Sequence, residues 1–95
     1  MNNMDRTIVV SGATGGLGHV VTRQFAGRGA RLILVGDNLD KLQALGQELG
    51  IPQDRWMPFE ADLTKSQAAR EVMEATLEKF GSADVLLNLV GGWTG

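Results

Sequence analysis

The sequence has 95 residues, which is enough for one small domain that spans residues 1–95. Hydrophobic residues make up 43% and charged residues 21%, as in folded globular chains, and no apolar run approaches the ~20 residues of a membrane span. The absence of cysteine excludes a disulfide framework and a Cys-ligated metal site. The net charge of -2, with both signs mixed along the chain, argues against nucleic acid and anionic membranes as partners. A cytoplasmic location is the expectation.

The first half of the chain alternates apolar runs with helical periodicity. Thr7–Ser11 is a β-branched run that ends in glycines, which is typical of a buried parallel strand. The spacing predicts a helix over Leu17–Arg28, stopped by Gly29, and a second strand over Leu32–Val35. The predicted inner face of this helix consists of Leu17, Val20, Val21, Gln24 and Phe25.

The alternation continues with a second helix and a third strand. Asn38 is predicted to cap the helix, and Gly50 supplies its left-handed C-terminal residue. Trp56–Glu60 is predicted to be a strand at the edge of the sheet, because Pro58 has no N–H to donate to a neighbour. The apolar stripe of the helix is formed by Leu39, Leu42, Leu45 and Leu49.

The last third of the chain predicts a helix followed by a strand. Thr64 and Gln67 have the spacing of a capping box, which predicts the start of the third helix, and Gly81 ends it. Asp84–Val90 is predicted to be the fourth strand. The inner face of the third helix is predicted to consist of Ala69, Val72, Met73, Thr76 and Phe80.

The resulting order, βαβαβαβ, predicts an α/β fold with right-handed crossovers and a parallel sheet. We expect a three-layer, Rossmann-type, doubly wound sheet, present in part, with strand order 3-2-1-4.

A glycine-rich turn lies between the first strand and the first helix. Turns of this kind bind phosphates, because one glycine permits a tight turn, another lets the backbone approach a pyrophosphate, and a third lets helix and sheet pack closely. A Walker-type loop is excluded, since the first lysine of the chain after the glycines is Lys41. The alternative is a tight turn without a ligand. The candidate binding residues here are Gly12, Thr14, Gly15, Gly16, Leu17 and Gly18.

This turn resembles a motif of a known family. Ser11-Gly12-xxx-Gly16-x-Gly18 is similar to the TGxxxGxG turn of the short-chain dehydrogenase/reductase family, with Ser in place of Thr. The glycines also fit the TGxxGxxG spacing of the extended branch, through Gly12, Gly15 and Gly18. The segment over residues 88–91 favours the first branch.

Two further segments resemble the family. Ala61-Asp62-Leu63-Thr64 is similar to the segment whose aspartate contacts the adenine, and Asn88-Leu89-Val90-Gly91 is similar to the NNAG segment, with the second Asn and the Ala replaced. The resemblance covers the whole chain. It implies an oxidoreductase that transfers a hydride between NAD(P)(H) and a carbonyl or alcohol, with Asp62, Leu63, Asn88 and Gly91 as further cofactor-binding residues.

Asp37 bears on the choice of nicotinamide cofactor. An acidic residue about 20 positions beyond the glycine turn usually binds the adenosine ribose hydroxyls. Asp37 has this position, with Asn38 beside it, and its carboxylate would repel a 2′-phosphate. NADP-preferring relatives tend to carry Arg here. The sequence therefore favours NAD over NADP, although the register also admits Gly36 as the equivalent position and Asp37 as a solvated loop residue.

The resemblance places the catalytic Ser and the Tyr-x-x-x-Lys pair after the fourth strand. The sequence contains no tyrosine and stops at Gly95, so no catalytic residue is assigned. We expect a chain that binds a dinucleotide without reducing a substrate, and a small-molecule substrate for the complete enzyme alone. The apolar fourth strand predicts either a fragment of a larger oxidoreductase or a chain that self-associates as a homo-oligomer.

Two alternatives stay open. One is a non-catalytic dinucleotide-binding or sensing module that acts through a partner chain. The other is a different adenine-containing ligand, such as FAD or an S-adenosyl donor, on the same fold.

Overall fold

Strands and helices alternate strictly in the computed structural model, which describes residues 6–62 and 65–88, with the backbone alone at residue 88. The strands are β1 (Thr7–Ser11), β2 (Arg31–Gly36), β3 (Trp56–Glu60) and β4 (Val85–Asn88). The helices are α1 (Gly16–Gly27), α2 (Leu39–Glu48) and α3 (Ser66–Phe80), with a 3-10 turn over Gln53–Arg55.

The four strands form one parallel sheet in the order β3-β2-β1-β4. This confirms the predicted topology. β3 lies at one edge, as Pro58 predicts, and β4 lies at the other edge of the described sheet. Because all strands run in the same direction, Ser11, Gly36, Glu60 and Asn88 end their strands at the same edge of the sheet.

Two apolar layers hold the helices against the sheet. Even-numbered residues of β1 and β2, such as Ile8 and Leu32, pack with the leucines of α2 and with Trp56, whereas odd-numbered ones, such as Val9 and Ile33, pack with α3. This alternation is that of a strand buried on both faces. The predicted inner faces of α2 and α3 are confirmed, except that Leu39 is exposed.

The predicted inner face of α1 is wrong in part. Leu17 is 59% exposed and Val20 is 55% exposed, whereas the buried residues of the helix are Gly18 and Thr22. The physical reason is the close approach of α1 to the preceding turn at Gly18, which sets the side of the helix that faces the sheet. Phe25 packs against the core as predicted, whereas Gln24 is exposed together with the two large aliphatic side chains. The helix also begins one residue earlier than predicted, at Gly16, and ends at Gly27.

The predicted capping box before α3 is also wrong. Lys65 is the N-cap residue, since its carbonyl accepts the first helical bond, from the Ala69 amide at 3.2 Å. Its side chain makes no capping hydrogen bond, because the ammonium group is a donor only. The Gln67 side chain instead donates to the Glu71 carboxylate at 3.4 Å. Thr64 lies outside the described residues. Gly81 ends the helix with φ +78°, as predicted.

β4 is held at its start by a reciprocal contact with β1. The Thr7 amide donates to the Asp84 carboxylate at 2.8 Å, and the Asp84 amide donates to the Thr7 carbonyl at 2.9 Å. Asp84 thus precedes the strand rather than beginning it, and the predicted residues 89–90 lie outside the described part. Among the helices that the structure describes, none is long and apolar enough to cross a membrane.

Candidate functional site

The glycine turn is anchored to the ends of two strands. Gly12 follows β1 with φ +79°, a left-handed conformation that glycine adopts at no steric cost. The amides of Gly12 and Ala13 both donate to the Val35 carbonyl of β2, at 2.9 and 3.3 Å, and the Gly15 amide donates to the Gly12 carbonyl at 3.1 Å. These hydrogen bonds therefore fix the shape of the turn between β1 and α1.

The glycines of the turn differ in the space around them. A Cβ atom at Gly18 would lie 2.0 Å from the Gly12 carbonyl oxygen, so a side chain there cannot coexist with this turn. A Cβ atom at Gly16 would meet nothing within 4 Å, and one at Gly15 would only touch the Gly12 carbonyl at 3.4 Å. Gly12 and Gly18 thus shape the turn, while Gly15 and Gly16 line its open side.

The N-terminus of α1 faces this open side without a protein cap. Its N-cap residue is Gly15, which has no side chain to accept from the first amides, and the first turn contains no acidic residue. The first amides of a helix have no partner within the helix, and the helix dipole places partial positive charge there. An uncapped start behind a tight glycine turn suits a phosphate group.

Thr14 and Leu17 border the same region. Thr14 is half-buried and lines a cleft of about 220 Å³ between the turn and α2, together with His19, Lys41 and Glu48. The His19 ring lies 3.6 Å from the Glu48 carboxylate. Lys41 and Glu48 give the cleft charges of both signs. Leu17 is exposed beside the uncapped amides, which leaves its side chain available to a bound molecule.

Asp37 and Asn38 follow β2 at the carboxyl edge of the sheet. Asp37 is exposed. The Asn38 side chain accepts a hydrogen bond from the Lys41 amide at 3.1 Å, which confirms its predicted role as the N-cap of α2. Gly36, the alternative register position, lies inside β2 and pairs with Glu60 of β3. Asp37 is therefore the first residue beyond the strand.

Glu60 is a residue of this region that the sequence analysis missed. Its Oε1 atom accepts a hydrogen bond from the Leu39 amide, the first of α2, at 3.3 Å. The sequence did contain a signal for Glu60. This acidic residue ends the predicted third strand, and that strand was expected to lie beside the second strand, which precedes Asp37.

Of the four remaining candidate residues, two lie within the described residues. Asp62 is exposed just beyond β3, and its carbonyl accepts from the Lys65 amide at 3.1 Å. The backbone of Asn88 pairs with Ser11 at the end of β4, which places it beside the glycine turn. Leu63 and Gly91 lie outside the described residues. Within the described part, no group of three His, Asp or Glu side chains is placed to hold a metal ion.

Ser11 adds a buried polar atom to the base of the turn. The residue is 1% exposed, and its hydroxyl has no hydrogen-bond partner in the described structure. Buried hydroxyls normally have a hydrogen-bond partner, so the Ser11 hydroxyl is an exception among the described residues.

Comparison with known proteins agrees with this geometry. The family model described as "short chain dehydrogenase" matches residues 6–95. A 1,6-dihydroxycyclohexa-2,4-diene-1-carboxylate dehydrogenase of Pseudomonas putida is 38% identical over 88 residues, which is 92% of this chain and 32% of that protein. The chain spans about a third of the length of the curated relatives that it matches, 36% for an uncharacterized oxidoreductase of Staphylococcus epidermidis.

Solved structures show the same arrangement. A short-chain dehydrogenase/reductase from Brucella melitensis superposes with a TM-score of 0.83 at 31% identity, over 90% of this chain and 37% of that one. A 3-ketoacyl-(acyl-carrier-protein) reductase from Brucella melitensis, complexed with NADH, has a TM-score of 0.75 at 28% identity, over 85% of this chain and 32% of that one. With the family model matching nearly the whole sequence, the chain belongs to the short-chain dehydrogenase family.

Proposed function

We propose that this chain is the NAD-binding N-terminal part of a short-chain dehydrogenase/reductase of the TGxxxGxG branch. The observation that carries the proposal is the uncapped start of α1 behind a turn whose geometry excludes a side chain at Gly18 and leaves Gly15 and Gly16 open. The NADH complex of the related Brucella melitensis reductase supports a dinucleotide as the ligand. The complete enzyme would transfer a hydride between NAD(H) and a carbonyl or alcohol; the cofactor would donate the hydride in reduction and accept it in oxidation.

Each group of candidate residues has a role in this proposal. The turn over residues 12–18 would bind the pyrophosphate through backbone amides, with Thr14 and Leu17 at its margins. Asp37 and Asn38 would border the adenosine ribose. The adenine would lie against Asp62 and Leu63, and Asn88 and Gly91 would border the nicotinamide half.

The preference for NAD rests on charge. Asp37 follows β2 directly and its exposed carboxylate can accept hydrogen bonds from ribose hydroxyls. A 2′-phosphate in the same place would bring two negative groups together, which is unfavourable even at high dielectric.

Binding without turnover is the expected behaviour of this chain. Carbonyl reduction needs a proton donor within about 3 Å of the substrate oxygen, and the chain has no tyrosine to serve as the family's donor. We therefore assign no catalytic residue and no substrate.

The test is a calorimetric titration with NADH and, in parallel, NADPH, on the wild-type chain and on Gly16→Asp. The open space at Gly16 accommodates the new side chain, and an acid in the first turn is favourable for the helix, so the fold should be retained. The added charge at the pyrophosphate position should weaken NADH binding by about tenfold or more.

Gly27→Asp is the control, since it makes the same change at the other end of α1, where a Cβ atom also meets nothing within 4 Å. Wild-type binding with a loss confined to Gly16→Asp is the expected result. Equal binding by both variants would contradict the placement of the pyrophosphate, and a folded wild-type chain that binds neither dinucleotide would contradict the proposal itself.

A second candidate is a non-catalytic dinucleotide-binding module that acts through a partner chain. The observations that favour it are the edge position of β4 in the described sheet and the side chain of Leu86, which is 52% exposed. NADH binding by a defined oligomer, without any turnover, would support this alternative.

A further inference from the structure

The described structure places a second carboxylate next to the proposed ribose position. Glu60 is the last residue of β3, and its Oε1 atom accepts a hydrogen bond from the Leu39 amide at 3.3 Å. Leu39 is the first residue of α2 and stands two positions after Asp37. The bond therefore ties the end of β3 to the segment that carries Asp37.

The strand register explains why Glu60 points to this side. Successive residues of a strand face opposite sides of the sheet. Met57 and Phe59 pack with the α3 layer, whereas Trp56 packs with the layer of α1 and α2. Glu60 shares the side of Trp56, and it pairs across the sheet with Gly36, the residue before Asp37. Its charge is thus held at the start of α2.

We propose that Glu60 is a specificity-determining residue that disfavours a 2′-phosphorylated dinucleotide independently of Asp37. The inference rests on the proposed function. A 2′-phosphate at the end of β2 would meet two carboxylates, and the Leu39 amide, one of the few donors at the start of α2, already has an anionic partner in Glu60. A ribose with free hydroxyls carries no charge and does not experience this repulsion.

The test uses Glu60→Gln in the same chain. The amide oxygen of Gln can still accept from the Leu39 amide, so the contact with α2 is retained while the charge is removed. NADPH affinity should rise by about three- to tenfold relative to NADH affinity, and the rise should shrink at high salt because Glu60 is exposed. The melting temperature should change little.

Asp54→Asn is the matched control. It removes one negative charge from the 3-10 turn that precedes β3, at the end of this strand opposite to Glu60. This variant should leave the ratio of NADPH to NADH affinity unchanged. In an Asp37→Arg background, adding Glu60→Gln should raise NADPH affinity further, because each substitution removes a separate negative charge.

The outcomes separate the two claims. If NADH binds the wild-type chain but Glu60→Gln moves the affinity ratio no more than Asp54→Asn does, Glu60 serves only to hold α2 and this inference is overturned. If the folded wild-type chain binds neither NADH nor NADPH, the proposed function fails and the inference fails with it.

Discussion

Two threonine hydroxyls buried in the core differ in whether they make a hydrogen bond. Thr22 of α1 and Thr76 of α3 are both fully buried threonines on helices that face the sheet. The Thr76 hydroxyl donates to the Val72 carbonyl at 2.7 Å, whereas the Thr22 hydroxyl has no partner in the described structure. Burial of a hydroxyl without a hydrogen bond costs free energy that the satisfied hydroxyl does not pay.

Thr22→Val should therefore raise the free energy of unfolding by about 1 kcal/mol, since valine has the same shape and no unsatisfied group. Thr76→Val should lower it by about 1 kcal/mol, because a satisfied hydrogen bond is lost. Urea denaturation of the two variants measures the difference. A stability loss in Thr22→Val would mean that its hydroxyl has a partner in solution.

At the scale of elements, α2 packs on the sheet through a glycine. A Cβ atom at Gly46 would lie 2.3 Å from the Trp56 ring, so the helix and β3 approach each other more closely than any other residue permits. Trp56 is 7% exposed and belongs to the core on this side of the sheet. The contact lies near the C-terminal end of α2, where it packs the helix against the start of β3.

Gly46→Ala should lower the free energy of unfolding by about 1–3 kcal/mol, because overpacking against the ring outweighs the better helix propensity of alanine. Gly27→Ala, at the exposed end of α1, is the control and should leave stability equal or slightly higher. Chemical denaturation of both variants is the measurement. Equal stabilities would show that α2 does not sit this close to Trp56.

At the scale of the whole molecule, the sheet has two edge strands that differ in character. β1 and β2 lie between other strands, whereas β3 and β4 each have a neighbour on one side alone in the described structure. β3 carries Pro58 at its edge, but β4 is an apolar strand. Unpaired apolar strand edges favour association with another chain. The chain was predicted to be either a fragment of a larger oxidoreductase or a chain that self-associates, and we propose that the isolated 95-residue chain self-associates through this edge.

Leu86→Lys should then shift the chain toward the monomer in sedimentation velocity, because a charge at a strand edge opposes pairing. Leu77→Lys is the control, since Leu77 of α3 is 51% exposed, nearly the same as Leu86 at 52%, but lies on a helix. A wild-type chain that stays monomeric over a wide concentration range would rule out this association.

The family and the topology could be predicted because they depend on local signals. Alternating apolar runs and helical stripes indicate βαβ units, and such units permit few arrangements of a parallel sheet. The roles of Gly12 and Gly18 were also accessible, since a glycine turn between a strand and a helix has a narrow range of geometries. By contrast, the capping box at Thr64 failed because the competing start at Lys65 differs by a single residue, a distance that local sequence patterns do not resolve.

The sequence by itself determined the order of elements, the edge position of β3 and the glycine turn that leads into α1, because each depends on residues close together in the chain. The tertiary structure alone decided which side of α1 is buried, since the contact between Gly18 and the Gly12 carbonyl sets the rotation of that helix. It also decided that Glu60 binds the Leu39 amide. These two residues are 21 positions apart, and only the packing of β3 beside β2 brings them to the same edge of the sheet.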